Sequence, residues 1–111
     1  MRDPEATIRD IATYARRILR YMNGVTRAEF REDTAIQDQV IRCLGVIGEA
    51  ARRTPETARV LYPTLPWQQM IGMRNRLAHE YDGLDMDAVW LTATRDIPAI
   101  LAVIEPHPSD D

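Results

Sequence analysis

The sequence predicts an all-α fold, an antiparallel bundle of four to five helices with a kinked last helix. Three observations carry that prediction. Apolar residues recur at spacings of three and four along most of the 111 residues, which builds one buried face per helix. Caps, prolines and glycines mark helix starts and stops at short intervals. No stretch shows the period-two alternation of a half-buried strand.

Asp3-Pro4-Glu5 reads as an N-cap, a proline in the first helical position and an acid in the first turn. Ile8, Ile11, Ala12, Ala15, Ile18, Leu19 and Met22 follow on one face, and Asn23-Gly24 closes the helix as a left-handed C-cap. Thr26 and Glu29 have capping-box spacing and open a short helix around Phe30. Asp33 caps the next helix, which turns Ile36, Val40, Leu44, Ile47 and Ala51 inward. Gly45 and Gly48 lie inside it, each costing up to about 1 kcal/mol against alanine. Close approach by another helix is the ordinary reason to tolerate them. Thr54-Pro55-Glu56 repeats the cap, proline and acid pattern and starts a short helix that Pro63 and Pro66 limit. Pro66 starts the third long helix, which runs to Glu80 and is broken by Asp82-Gly83. Asp85 or Asp87 caps the last helix, with Val89, Trp90, Ala93, Ile97, Ile100, Leu101 and Ile104 inward. Pro98 kinks it by removing the bond to the Thr94 carbonyl. Residues 1–104 read as one helical domain and 105–111 as a disordered acidic tail.

Composition narrows the function classes. Seventeen acids against fourteen bases give a net charge of −3, which excludes a broadly basic nucleic-acid binder but leaves room for a local basic site. All fourteen bases are arginine, a bias that genome composition ordinarily explains. A lone Cys43 cannot form an internal disulfide and reads as a small core residue. The N-terminus carries no apolar signal segment, and the longest apolar stretch, Ile97 to Ile104, is well short of the ~20 residues of a membrane span. A cytoplasmic protein follows as the expectation. His79, His107 and Cys43 cannot assemble a closed zinc site, no glycine-rich phosphate loop is present, and Asp82, Asp85 and Asp87 lack the length and closing glutamate of a calcium loop. No metal and no cofactor is expected.

The informative segment runs from Met73 to Tyr81. At about 100° per residue, Trp67, Met70, Ile71, Arg74, Leu77, Ala78 and Tyr81 share one face. Arg74 thus stands in an apolar stripe and needs an acid partner such as Glu49, a cleft, or an anionic ligand. His79 lies at the edge of that face and Tyr81 almost in line with Arg74. Spacing alone leaves bland readings open: an Arg74–Glu49 clasp, His79 as a C-terminal cap, and Tyr81 as a core aromatic.

Arg74, four residues, His79, one residue, Tyr81: this resembles the Arg-X4-His-X-Tyr motif of the HEPN superfamily, in particular its HepT-like toxin branch. Ile47-Gly48-Glu49-Ala50, the Tyr62-Pro63 to Pro66-Trp67 connector, Gly72-Met73-Arg74-Asn75 and Asp96-Ile97-Pro98 look like that branch in the same order. The resemblance implies a HEPN-like bundle and a metal-independent endoribonuclease, the toxin of a type VII-like toxin–antitoxin pair. It implies Arg74 and His79 as the catalytic pair and Asn75 as a supporting RNA contact. Tyr81 is implied as the acceptor on which a cognate MntA-like nucleotidyltransferase antitoxin places AMP. It further implies a homodimer that pairs two motifs across one RNA cleft. The same fold also allows a non-catalytic module that docks a nucleotidyltransferase, or binds nucleotide or RNA without turnover.

Overall fold

A computed structural model of the chain describes residues 3, 5–79 and 83–105, except the side chains of residues 78 and 79. The described residues are helical with no strand: α1 (Ala6–Met22), α2 (Arg27–Glu32), α3 (Thr34–Arg53), α4 (Glu56–Arg59), α5 (Trp67–His79), α6 (Met86–Leu91) and α7 (Ile97–Ile104). A π-helical turn over Thr92–Asp96 joins α6 to α7. Four long rods result, α1, α3, α5 and the composite α6–α7, with α2 and α4 as short connectors. The all-α bundle predicted from the sequence is therefore what the chain forms. No helix among the described residues is long and apolar enough to cross a membrane.

Local chemistry sets most of the boundaries as read. Gly24 takes φ +75° after α1, a conformation with no steric cost for glycine. Thr26 and Glu29 form the reciprocal capping box, with bonds of 3.1 and 2.9 Å, and Asp33 accepts the Ile36 N–H at 3.1 Å. Asp85, not Asp87, caps α6. Asp87 instead takes a bidentate bond from Arg31 at 2.9 and 2.6 Å, which clasps α2 to α6.

Four boundaries differ from the sequence reading. Asp3 does not cap α1 directly; it accepts the Glu5 N–H at 2.9 Å in a turn one step ahead of a helix that begins at Ala6. Thr54 ends α3 instead of starting α4: its buried hydroxyl lies 2.7 Å from the Ala50 carbonyl and 2.8 Å from Thr7 Oγ1. Two nearby polar partners in the core outcompete the cap of a four-residue helix. Pro66 sits just before α5, where its carbonyl accepts from the Met70 N–H at 3.0 Å. Glu105, assigned to the tail, closes α7 through its N–H to Leu101 and pairs with Arg16. Residues 106–111 lie outside the described residues.

The expected disruption at Pro98 takes the form of the π-turn. Ile97 N–H reaches the Thr92 carbonyl five residues back, so the ladder is already widened where Pro98 has no N–H to give. Thr92 and Thr94 hydroxyls bond the Ala88 and Trp90 carbonyls at 2.9 and 2.7 Å, a back-bonding that bends helices.

The core lies where α3 passes between α1 and α5. Ile11, Ala15, Ile18, Val40, Leu44, Ile47, Ala93 and Ile97 are buried in it. Phe30 is fully buried from the side and packs on Trp90, ring centroids 5.7 Å apart. Cys43 is buried too, and burial pushes its thiol pKa up, as befits an inert core residue.

Of the two glycines of α3, only Gly48 meets another helix. A Cβ there would lie 2.3 Å from Arg74 Cβ and 2.9 Å from the Met70 carbonyl oxygen, whereas one on Gly45 would meet nothing within 4 Å. The pair therefore predicts opposite outcomes in thermal melts. Gly48→Ala overpacks the interface and is expected to cost about 1–3 kcal/mol, offset by at most ~1 kcal/mol of helix propensity. Its melting temperature falls by several degrees. Gly45→Ala is expected to gain about 0.5–1 kcal/mol.

Candidate functional site

The site begins with that glycine. Because Gly48 has no side chain, α5 seats Arg74 directly on α3, with Arg74 Cα 3.1 Å from where a Cβ would stand. An arginine that deep in the apolar stripe must turn outward, and its side chain is 38% exposed. It turns toward the residue after the glycine: Arg74 Nε lies 3.3 Å from Glu49 Oε1. The acid partner considered from the sequence is thus the one found. Glu49 is also held on its own helix, accepting from Arg52 Nε at 3.0 Å and Nη2 at 2.6 Å.

Arg74 Nη1 reaches Asn75 Oδ1 at 3.4 Å, a long contact between two neighbours of the predicted set. Asn75 is otherwise exposed. His79 is the last residue of α5, five residues and about 7.5 Å along the axis from Arg74. Its side chain lies outside the described residues, as does all of Tyr81. Two of the four predicted site residues, Arg74 and Asn75, are therefore seen together.

Two features were not read from the sequence. Arg52 as the second holder of Glu49 could have been found, since the two stand three apart on one helix. A groove of about 660 Å³ had no such signal. It lies between α5 and the α6–α7 rod, is lined by Met70, Met73, Arg76, Leu91, Arg95 and Ile100 among others, and holds neither Arg74 nor Asn75. The groove and the Arg74–Glu49–Arg52 charges therefore lie on different flanks of α5.

Comparison with known proteins gives a family match and named relatives. The HepT-like family model, described as Ribonuclease HepT-like, matches residues 11–106. Two proteins of Methanocaldococcus jannaschii, provisionally named as RNases, are 41% and 40% identical over 99 residues each; the matches span 89% of this chain and 85% and 82% of those proteins. A protein of Thermococcus cleftensis named probable ribonuclease HepT is 35% identical over 98 residues, 88% of this chain and 89% of its own length. No solved structure matches the chain significantly.

Glu49 has a testable electrostatic signature. Hydrogen bonds from Arg52 hold its pKa below the ordinary glutamate value, with the charges of Arg52, Arg74 and Arg53 adding to the effect. A depressed folded-state pKa contributes stability that is complete above the unfolded value near ~4.3 and lost as pH falls through the folded one. Carboxyl NMR titration is expected to place Glu49 below that unfolded value in the wild type and higher in Arg52→Ala. An unchanged titration in the variant would show that Arg52 is not the main cause.

Proposed function

The chain belongs to the ribonuclease HepT-like family, and on that premise we propose that it is an endoribonuclease toxin that cuts RNA without a metal ion. The observation that carries this reading is Arg74: a guanidinium seated by backbone contact, half turned to solvent beside Asn75, five residues ahead of His79 on one helix. The ribonuclease names of its relatives support RNA as the substrate class.

In the proposed reaction, a ribose 2′-oxygen attacks the adjacent phosphorus and the bond from phosphorus to the 5′-oxygen breaks. Histidine, which titrates near neutral pH, takes the 2′ proton, and a second histidine returns one to the leaving 5′-oxygen. One chain places one histidine in the motif, so a homodimer that brings two copies of His79 to a shared cleft completes the site. Arg74 holds the phosphate and stabilises the charge that develops on its oxygens, with Asn75 as a supporting contact. Tyr81, two residues after His79, is the proposed acceptor of AMP from a cognate nucleotidyltransferase antitoxin. The added phosphate would compete with RNA for the Arg74 guanidinium.

The Glu49–Arg74 pair favours a second reading, in which Arg74 is a structural clasp and the bundle binds RNA, nucleotide or the nucleotidyltransferase without turnover. Single-turnover cleavage of a single-stranded RNA in EDTA separates the two. The wild type is expected to cut, Arg74→Ala and His79→Ala each to slow by at least ~100-fold, and a 2′-deoxy nucleotide at the cut to block cleavage. RNA that is bound but never cut supports the second reading, and full activity in either variant removes that residue from the mechanism. Coexpression with a cognate MntA-like nucleotidyltransferase is expected to add the mass of AMP to the wild type and none to Tyr81→Phe. Equal modification of both proteins would exclude Tyr81 as the acceptor.

A further inference from the structure

Arg74 and Arg52 share one carboxylate in unequal ways. Arg52 engages both Glu49 oxygens, at 3.0 and 2.6 Å, from a position one turn away on the same helix. Arg74 approaches from the next helix as an ion pair, its Nε 3.3 Å from Oε1. The carboxylate is therefore fixed from its own helix before it touches the arginine on the next. Gly48 removes the remaining slack, because α5 cannot shift along a contact in which backbone already meets backbone.

A guanidinium presents five donors in a rigid plane, so fixing one edge orients the others. The Nε side of the guanidinium lies beside Glu49, which leaves the terminal Nη1–Nη2 edge as the one available to a ligand. Among the described residues it carries only the 3.4 Å contact to Asn75. That edge has the fork geometry which receives a phosphate through two parallel hydrogen bonds. Two arginines and one glutamate sum to +1, so the trio stays attractive to an anion while its geometry is set. The ion pair itself contributes little to stability, because both side chains are about a third exposed, at 38% and 32%.

We infer that Glu49, clamped by Arg52, is the positioning residue that turns the terminal edge of Arg74 toward the RNA phosphate. This rests on the reading of Arg74 as the phosphate-holding arginine. Small errors in placing a reacting group cost large factors in rate, so the expected loss is in turnover and not in folding.

The test is steady-state cleavage of a short single-stranded RNA by the full chain, with melting temperatures recorded beside it. Glu49→Ala is expected to lower kcat about tenfold or more while KM stays within about threefold. Glu49→Gln, which keeps an oxygen for Arg74 Nε, should retain kcat within about threefold of wild type. Arg52→Ala, which frees the carboxylate without removing it, should fall between them. In an Arg74→Ala background, Glu49→Ala should have no further effect. A fully active Glu49→Ala, equal losses in the Ala and Gln variants, or additive losses with Arg74→Ala would each overturn the inference. Should Glu49→Ala fail to fold, the ordering of wild type, Glu49→Gln and Arg52→Ala decides. A wild type that leaves RNA uncut overturns the nuclease reading and this inference with it; an active wild type with an unimpaired Glu49→Ala overturns this inference alone.

Discussion

The contact between Gly48 and Arg74 is the constraint on which the rest of the molecule depends. Helices carrying ordinary side chains pack with their axes about 8–10 Å apart, and approach more closely only where one of them offers a bare backbone. At Gly48, α3 does so, and the residue it receives is an arginine. The position of α5 is inherited from the central helix, which Val40, Leu44 and Ile47 anchor in the core and which packs on α1 as well as on α5. Glu49 follows the glycine in sequence, so the steric seat and the charge that meets the seated arginine come from adjacent residues. Packing and electrostatics are coupled at one place by one turn of helix.

The arginine-only composition takes on meaning in this setting. Arg31 grips Asp87 with two nitrogens, Arg52 grips Glu49 with two, and Arg59 bonds the Thr54, Ala51 and Arg52 carbonyls at the end of α3 while lying over the Trp67 ring. Each of these uses the planar fork, which a lysine ammonium lacks. A surface with net charge −3 thus commits several of its cations to fixed contacts, of which Arg31–Asp87 joins two helices and Arg52–Glu49 lies within one. Arg74 differs because it touches its acid with one edge only. The distinction that matters for RNA is between arginines whose fork is filled and one whose fork is half filled.

Much of this was legible from residues alone, and the reasons are local. The capping box at Thr26, the cap at Asp33 and the left-handed Gly24 each depend on chemistry within four residues, so the sequence states them directly. What depended on a distant partner was not stated. Thr54 has a cap's identity and a cap's neighbours, yet Thr7, far away in the chain, takes its hydroxyl. Gly45 and Gly48 look alike in the sequence, and only the path of α5 distinguishes them. Arg74 was recognisable as an arginine in need of a partner; which partner, and which edge it would use, required the third dimension. The groove beside α5 depends on how two rods diverge, and no residue pattern encodes that.

The π-helical turn at Thr92–Asp96 has a consequence for how this chain tolerates change in length. A π-turn holds one residue more than the α-helical turn it replaces, so the rod carries an insertion already absorbed into its hydrogen bonding. Val89 before it, Ala93 within it, and Ile97 and Ile100 after it all face the core. Removing one residue from the turn would restore a regular ladder and rotate everything downstream by about 100°, carrying Ile97 and Ile100 off the core. Pro98 would then have to break a helix that had regained the bonds it interrupts. In phase terms, the widened turn is the joint that lets the two halves of the rod keep a common inner face, and the length of this segment is fixed by the core and not by its exposed surface.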